Sequence, residues 1–189
     1  MRPHRFVIVL SALTFGLLLG SVPTATAASA SYCGITWGSL SKSSPELVPG
    51  PLVNARVGRH DCWDRLVVDL GTKPAPGYYV QYTDGFSQPG SGTPVPVAGG
   101  AVLTVHVLAP SYDVNGNSTV PWTDRTHIVT PQQFRAGGFR TFRDLAYGGS
   151  FEGETSLGLG VRARLPFRVL KLDGPGGGSR LVIDVAHRW

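Results

Sequence analysis

Two distant segments of the chain repeat the same alternation of apolar and polar residues. Residues 64–71 read DRLVVDLG, and residues 179–186 read SRLVIDVA. Apolar side chains at every second position are typical of a strand that buries one face. The opposite face of each copy carries an Arg and an Asp that lie too far apart along one strand to pair with each other. We therefore expect two equivalent strands of one β domain, whose charges pair across strands or face water.

With the two repeated segments, seven runs of the sequence are predicted to be strands. They lie at residues 54–57, 62–71, 78–83, 102–108, 155–165, 167–172 and 180–187. Gly/Pro-rich stretches at 86–96 and 110–126 predict loops, because these residues interrupt strands and favour turns. Thr130-Pro131-Gln132-Gln133 has a helix-capping pattern, but Gly137-Gly138 ends any helix within two turns. The pattern predicts an all-β protein with at most one or two short helical turns.

The N-terminus has the pattern of a secretory signal peptide over residues 1–27. Arg2 and Arg5 precede an apolar run shorter than the roughly 20 residues that span a bilayer. Small residues allow cleavage after Ala27 or after Ala30, and a retained membrane anchor is the alternative. A lipid attachment at Cys33 is disfavoured by the bulky Tyr32 before it. Residues 28–51 are small and polar, and are predicted to form a Ser/Pro-rich tail.

Composition narrows the possible partners. The chain has 25 Gly, 15 Pro and a formal charge of +5, which falls to +3 (15 basic and 12 acidic residues) without Arg2 and Arg5. This excess of positive charge is too small to indicate a nucleic-acid-binding protein, although it would favour contact with an anionic cell wall. About 160 residues remain after export, enough for one domain with a substantial core.

The two cysteines, Cys33 and Cys62, are expected to form a disulfide, because an exported chain enters an oxidising compartment. The bond would join the tail to the start of the first repeated strand. A catalytic thiol is the alternative, but no Cys–His pattern supports it.

Several segments, in their order and spacing, resemble the AMIN-like domain proteins exported by actinobacteria. They are RVGRHDCWDRLVVDL at 56–70, PVPVAGG at 94–100, GSFEG at 149–153, GLG at 158–160, PFRVLKL at 166–172 and RLVIDVAH at 180–187. The resemblance covers residues 52–187. It implies a single β-sandwich of antiparallel strands, related to a domain found beside cell-wall amidases and thought to bind peptidoglycan or to direct localisation. It implies no catalytic residue.

Two groups of side chains are candidates for ligand binding. Arg59, His60 and Asp61 form the densest polar cluster, either as a ligand-facing loop or as ordinary solvated charges. Among the aromatic residues, Tyr78 and Tyr82 share one face of a predicted strand, and Trp122 lies in a distant loop. Aromatic rings stack on sugars, but large aromatic side chains also fill cores. Tyr79 lies on the face opposite to Tyr78 and Tyr82.

Catalytic and metal-binding patterns are weak. His106, His127 and His187 are scattered singly, so the sequence predicts no metal site and no cofactor. The segment GSFEG at 149–153 is not spaced as a nucleophile elbow and is expected to form a turn. The protein is therefore expected not to be an enzyme, a small wall hydrolase using His60 or Asp61 being the alternative.

Together these features predict a secreted, non-catalytic module of the cell envelope. Its expected partner is peptidoglycan or another wall glycan, and the alternative is an interaction module that docks onto an envelope protein. No stable membrane insertion is expected once the signal peptide is removed. The expected location is extracellular, with wall association as one option.

Overall fold

A computed structural model of the chain describes residues 31–122 and 125–189. The predicted signal peptide, residues 1–27, lies outside this range. The described residues form strands β1 (Ser31–Tyr32), β2 (Ile35–Thr36), β3 (Lys42–Ser44), β4 (Leu52–Arg59), β5 (Trp63–Leu70), β6 (Tyr78–Thr83), β7 (Ala101–Val107), β8 (His127–Val129), β9 (Phe142–Phe151), β10 (Glu154–Val161), β11 (Phe167–Asp173) and β12 (Ser179–Ala186), with one helix, α1 (Pro131–Ala136).

The two repeated segments, β5 and β12, are antiparallel neighbours at the centre of a four-stranded sheet ordered β11-β12-β5-β4. Their register places Arg65 opposite Asp184 and Asp69 opposite Arg180. The repeat is therefore complementary to itself, because antiparallel pairing sets the Arg of each copy beside the Asp of the other. The expectation of two equivalent strands with cross-strand charge pairs is confirmed.

A six-stranded sheet, ordered β3-β6-β7-β10-β9-β8, packs against the four-stranded sheet, and neighbouring strands in both are antiparallel. The inner faces of both sheets form one apolar core. Its side chains include Leu66, Val68, Leu181 and Ile183 from the first sheet, and Leu103, Val105, Leu157 and Leu159 from the second, all fully buried. The predicted all-β sandwich is confirmed.

Alternate glycines on β10 leave a smooth strip on the outer face of the six-stranded sheet, and the loop between β6 and β7 lies on this strip. A Cβ at Gly158 would stand only 2.6 Å from the Phe86 ring, and a Cβ at Gly160 would meet the Ala98 carbonyl. The absence of side chains at these two positions lets the loop approach the sheet. Phe86 packs there in a small apolar cluster with Val95 and Ala146.

The expectation of a tail over 28–51 is wrong for its described part. Residues 31–36 form a small hairpin, and Lys42–Ser44 pairs with β6 as an edge strand. Trp37 is 2% exposed and packs on Trp63, while the Cys33–Cys62 disulfide joins the hairpin to the start of β5. The predicted disulfide is therefore present, and this segment belongs to the folded body.

The short helix begins where the sequence predicts. The Thr130 hydroxyl accepts a hydrogen bond from the Gln133 N–H, the Gln133 side chain accepts one from the Thr130 N–H, and Pro131 occupies the first turn. Phe134 is the buried residue of the helix and packs on Phe142 of β9. The helix thereby covers one end of the core.

Candidate binding surface

The outer face of the six-stranded sheet carries a row of residues that crosses five strands. Ser43, Tyr79, His106, Ser156 and Gly149 stand side by side on β3, β6, β7, β10 and β9. At the usual strand separation the row extends over about 19 Å. It lies beside the loop that covers the glycine strip, so part of this sheet face is covered and part is open.

A groove of about 330 Å³ lies over the Ser43, Tyr79 and His106 part of this row, and we call it the Tyr79 groove. It is lined by Tyr79 and Gln81 from β6, His106 from β7, Glu154 from β10, and residues 41–43 at the start of the edge strand. Tyr79 is 44% exposed, unusually open for a large aromatic side chain on a strand. The groove thus combines an aromatic ring with an amide, an imidazole and a carboxylate.

His106 is held in place by a buried neighbour. Its Nδ1 lies 3.0 Å from the hydroxyl oxygen of Ser156, which is 1% exposed. Burial lowers the pKa of His106 below its usual value of 6.5, and the charge of Glu154 only partly opposes this shift. The imidazole is therefore neutral at pH 7, so it can both donate and accept hydrogen bonds.

The predicted sugar-stacking residues Tyr78 and Tyr82 lie on the inner face of β6. Both pack against the apolar core. The Tyr82 hydroxyl donates to the Leu165 carbonyl at 2.7 Å and accepts from the Leu165 N–H at 3.1 Å, and its ring meets Phe167 edge-on. These contacts join the two sheets, so the Tyr79 side of the strand is the one that faces solvent.

Trp122 does not offer a ring face to a ligand. It is 4% exposed and belongs to the main core cluster. The loop position suggested exposure, but the side chain turns inward, as large apolar rings commonly do.

Arg59, His60 and Asp61 lie together at the turn between β4 and β5, as the sequence indicates, and line a separate polar cavity. The His60 ring stacks on Trp63 at 5.0 Å, and the Asp61 carbonyl lies 3.2 Å from Nδ1 of His187. Among the described residues, no group of three or more His, Cys, Asp or Glu side chains is placed to hold a metal ion.

Sequence reasoning missed Tyr79, Gln81, His106 and Glu154 as a group. The alternation of β6 already separated Tyr79 from its two neighbours, but it did not say which face is the core. His106 and Glu154 join the group only through the pairing of β7 with β6 and β10. Long-range strand pairing of this kind has no local signal in a sequence.

The fold and this surface define a β-sandwich with an open, mixed aromatic and polar sheet face. The model of the AMIN-like domain family matches residues 50–187, and the chain belongs to that family. No curated protein and no solved structure gives a significant match to the chain.

Family membership indicates a module related to the cell envelope. Together with the disulfide, it indicates an extracytoplasmic location. The described residues include no helix that is long and apolar enough to cross a membrane.

Proposed function

We propose that this protein is a secreted, non-catalytic module that binds peptidoglycan or another wall glycan through the Tyr79 groove. The single observation that carries the proposal is the exposed Tyr79 ring on a sheet face beside Gln81, His106 and Glu154. A family of envelope modules fits wall components as partners.

The chemistry of the groove suits a sugar chain. Sugar rings present apolar C–H surfaces that pack on an aromatic face, and their hydroxyl and amide groups need hydrogen-bond partners. The Gln81 amide offers a donor and an acceptor, and Glu154 offers acceptors. Because Nδ1 of His106 is occupied by Ser156, His106 offers its Nε2 alone, as a donor or an acceptor according to the tautomer. The groove takes its lining from four adjacent strands, β3, β6, β7 and β10, which at the usual strand separation is about 14 Å, long enough for more than one sugar ring.

Sedimentation of the mature, oxidised protein with purified peptidoglycan tests the proposal. We expect pelleting that persists as salt is raised, because stacking and neutral hydrogen bonds are screened little by ions. Tyr79→Ala should reduce binding at least tenfold, whereas Tyr79→Phe should retain most of it. The Gln81→Ala variant should show a smaller loss.

Leu172→Ala is the matched control. Leu172 is 43% exposed, close to the value for Tyr79, but it lies on β11 of the other sheet. Equal losses in Tyr79→Ala and Leu172→Ala, or pelleting that disappears at moderate salt, would contradict a stacking site in the groove.

The non-catalytic part of the proposal has its own test. Incubation with wall substrate should release neither reducing ends nor free amino groups. If either were released, and the release stopped on substitution of His60 or Asp61, the alternative of a wall hydrolase would replace the proposal.

A protein-interaction module is the second candidate, favoured by exposed apolar residues at one end of the sandwich. Val114 is fully exposed on a turn held by the Asp113 carboxylate, which accepts the backbone N–H groups of Asn115 and Asn117. Phe151, 48% exposed, lies on the adjacent hairpin. A pull-down that recovers one stable envelope protein, lost in Val114→Ser but kept in Tyr79→Ala, would favour this function.

A further inference from the structure

A polar cavity of about 270 Å³ opens at the end of the sandwich where β4 ends and β5 begins. Its lining comes from three separate parts of the chain: residues 59–61 and 64, the turn at 138–140, and His187. This cavity is separate from the Tyr79 groove, because the two share no lining residue.

Buried hydrogen bonds fix the floor of this cavity. The Asp64 carboxylate, fully buried, accepts the N–H groups of Thr141 at 2.6 Å and Phe142 at 3.0 Å, and its other oxygen lies 3.1 Å from Nε2 of His187. These bonds join the starts of β5 and β9 to the end of β12. Arg140, directly before Thr141, is therefore attached to a rigid support.

Arg59 reaches the same turn from the other side. Its Nη1 lies so close to Gly138 that a Cβ there would stand 3.0 Å away. Gly138 has a φ of +68° and precedes Arg140 by two residues. Arg59 and Arg140 thus line one cavity, Arg59 from the end of β4 and Arg140 from the turn before β9.

These two arginines lack the partners that other arginines have. Arg56, Arg65, Arg168 and Arg180, on the four-stranded sheet, all pair with aspartates. Over residues 31–122 and 125–189, neither Arg59 nor Arg140 donates a side-chain hydrogen bond or forms an ion pair. The nearby charge of Asp64 is already engaged by its buried hydrogen bonds. Arg59 and Arg140 are therefore the two charged donors of the cavity whose side chains remain open to an anion.

We propose that Arg59 and Arg140 form a binding site for the phosphate group of a polyol or sugar phosphate. Two planar guanidinium groups match a phosphate, with its several oxygens and double negative charge, better than they match a single carboxylate. Asp61, which also lines the cavity, is exposed, and its carboxylate would accept hydrogen bonds from the hydroxyl groups of the polyol. Phosphate alone would satisfy only the arginine half of the site.

Calorimetric titration of the mature protein tests this site with inorganic phosphate, sn-glycerol 3-phosphate and glycerol as probes. We expect no binding of glycerol, weak binding of phosphate and tighter binding of glycerol phosphate. The double variant Arg59→Gln with Arg140→Gln should bind glycerol phosphate at least tenfold more weakly. Asp61→Asn should bind glycerol phosphate no more tightly than inorganic phosphate. Arg59→Lys keeps the charge but loses the bidentate geometry, so its affinity for glycerol phosphate should lie between those of the wild type and the double variant.

Arg56→Gln is the matched control, since it makes the same change of charge on the same strand but at a paired arginine. It should bind as the wild type does. Equal weakening in Arg56→Gln and Arg59→Gln, or no binding of either phosphate by the folded wild type, would overturn the proposal.

Vesicles of phosphatidylglycerol distinguish the source of the phosphate. Soluble glycerol phosphate binding with vesicle binding that depends on Arg59 and Arg140 supports a lipid headgroup. Soluble binding without vesicle binding supports a wall-borne or free ester. Vesicle binding without soluble binding would reduce the observation to surface charge and overturn the site. None of these outcomes depends on glycan binding at the Tyr79 groove.

Discussion

Arg65 and Asp184, 119 residues apart in the chain, form a two-point ion pair across the centre of the four-stranded sheet. Arg65 donates from Nε to Oδ1 at 2.6 Å and from Nη2 to Oδ2 at 2.8 Å. Arg168 donates to the same carboxylate at 2.8 Å, and the Asp184 side chain is fully buried. One carboxylate therefore fixes the register of three strands, and the guanidinium of Arg168 also lies over the rings of Trp37 and Trp63.

Replacement of Asp184 should be strongly destabilising. In Asp184→Asn, two partly buried guanidinium groups lose their counter-charge, and we expect a loss of about 3–5 kcal/mol in the free energy of unfolding. Asp69→Asn is the control, because Asp69 pairs with Arg56 and Arg180 in a more exposed position and should cost about 1 kcal/mol or less. Urea unfolding measures both, and similar losses in the two variants would contradict a special role for Asp184.

The disulfide should stabilise the folded N-terminal segment. Cys33 and Cys62 are 29 residues apart, and closing such a loop contributes roughly 3–4 kcal/mol in the chain-entropy model. We expect Cys33→Ala with Cys62→Ala to lower stability by about this amount and to expose Trp37, which would shift its fluorescence to longer wavelength. Unchanged stability and emission would show that Trp37 holds the segment without the bond.

The glycine strip can be tested by filling it. In Gly158→Ala the new methyl group would meet the Phe86 ring, and overpacking of this kind costs roughly 1–3 kcal/mol. Gly58→Ala on β4, where a Cβ has open space, should be neutral. A double-mutant cycle with Phe86→Ala checks the mechanism: the Gly158→Ala penalty should shrink when the ring is absent, and strict additivity would contradict it.

Tyr82 should make the protein sensitive to alkali. Burial raises the pKa of Tyr82 from 10.0 to about 12, an effect partly opposed by its hydrogen bond to Leu165 and by Arg164. Because the unfolded state releases this proton at lower pH, the stabilising effect is complete below pH 10 and is lost as pH rises through 12. The expected loss is roughly 2–3 kcal/mol. The free energy of unfolding should therefore fall less steeply between pH 10 and 12 for Tyr82→Phe than for the wild type.

Local patterns predicted much of this fold. The strands at 63–70, 78–83, 167–173 and 179–186 carry strong period-2 alternation, and the helix has its capping residues within four positions. The strand Phe142–Phe151 was missed, because Arg143, Asp144 and Gly148-Gly149 interrupt its apolar pattern. Its position depends on Asp64, which binds the Thr141 and Phe142 N–H groups from far along the chain.

The candidate site was less predictable for the same reason. The sequence identified a strand rich in tyrosine, but the choice between its faces depends on which side meets the second sheet. The predicted tail was wrong because Trp37 is a single buried anchor among small polar residues, and one residue makes no periodic signal. Arg59 and Asp61 were identified correctly as neighbours, whereas their closeness to residues 138–140 required the tertiary fold.

The most direct test of the central claim is to map glycan binding by NMR. The ¹⁵N-labelled mature protein is titrated with soluble glycan fragments of peptidoglycan, and amide shifts are followed residue by residue. We expect saturable shifts centred on Tyr79, Gln81 and His106, and their loss in Tyr79→Ala while Leu172→Ala behaves as the wild type. Shifts confined to the four-stranded sheet, or none at fragment concentrations that saturate intact wall binding, would contradict the Tyr79 groove as the glycan site.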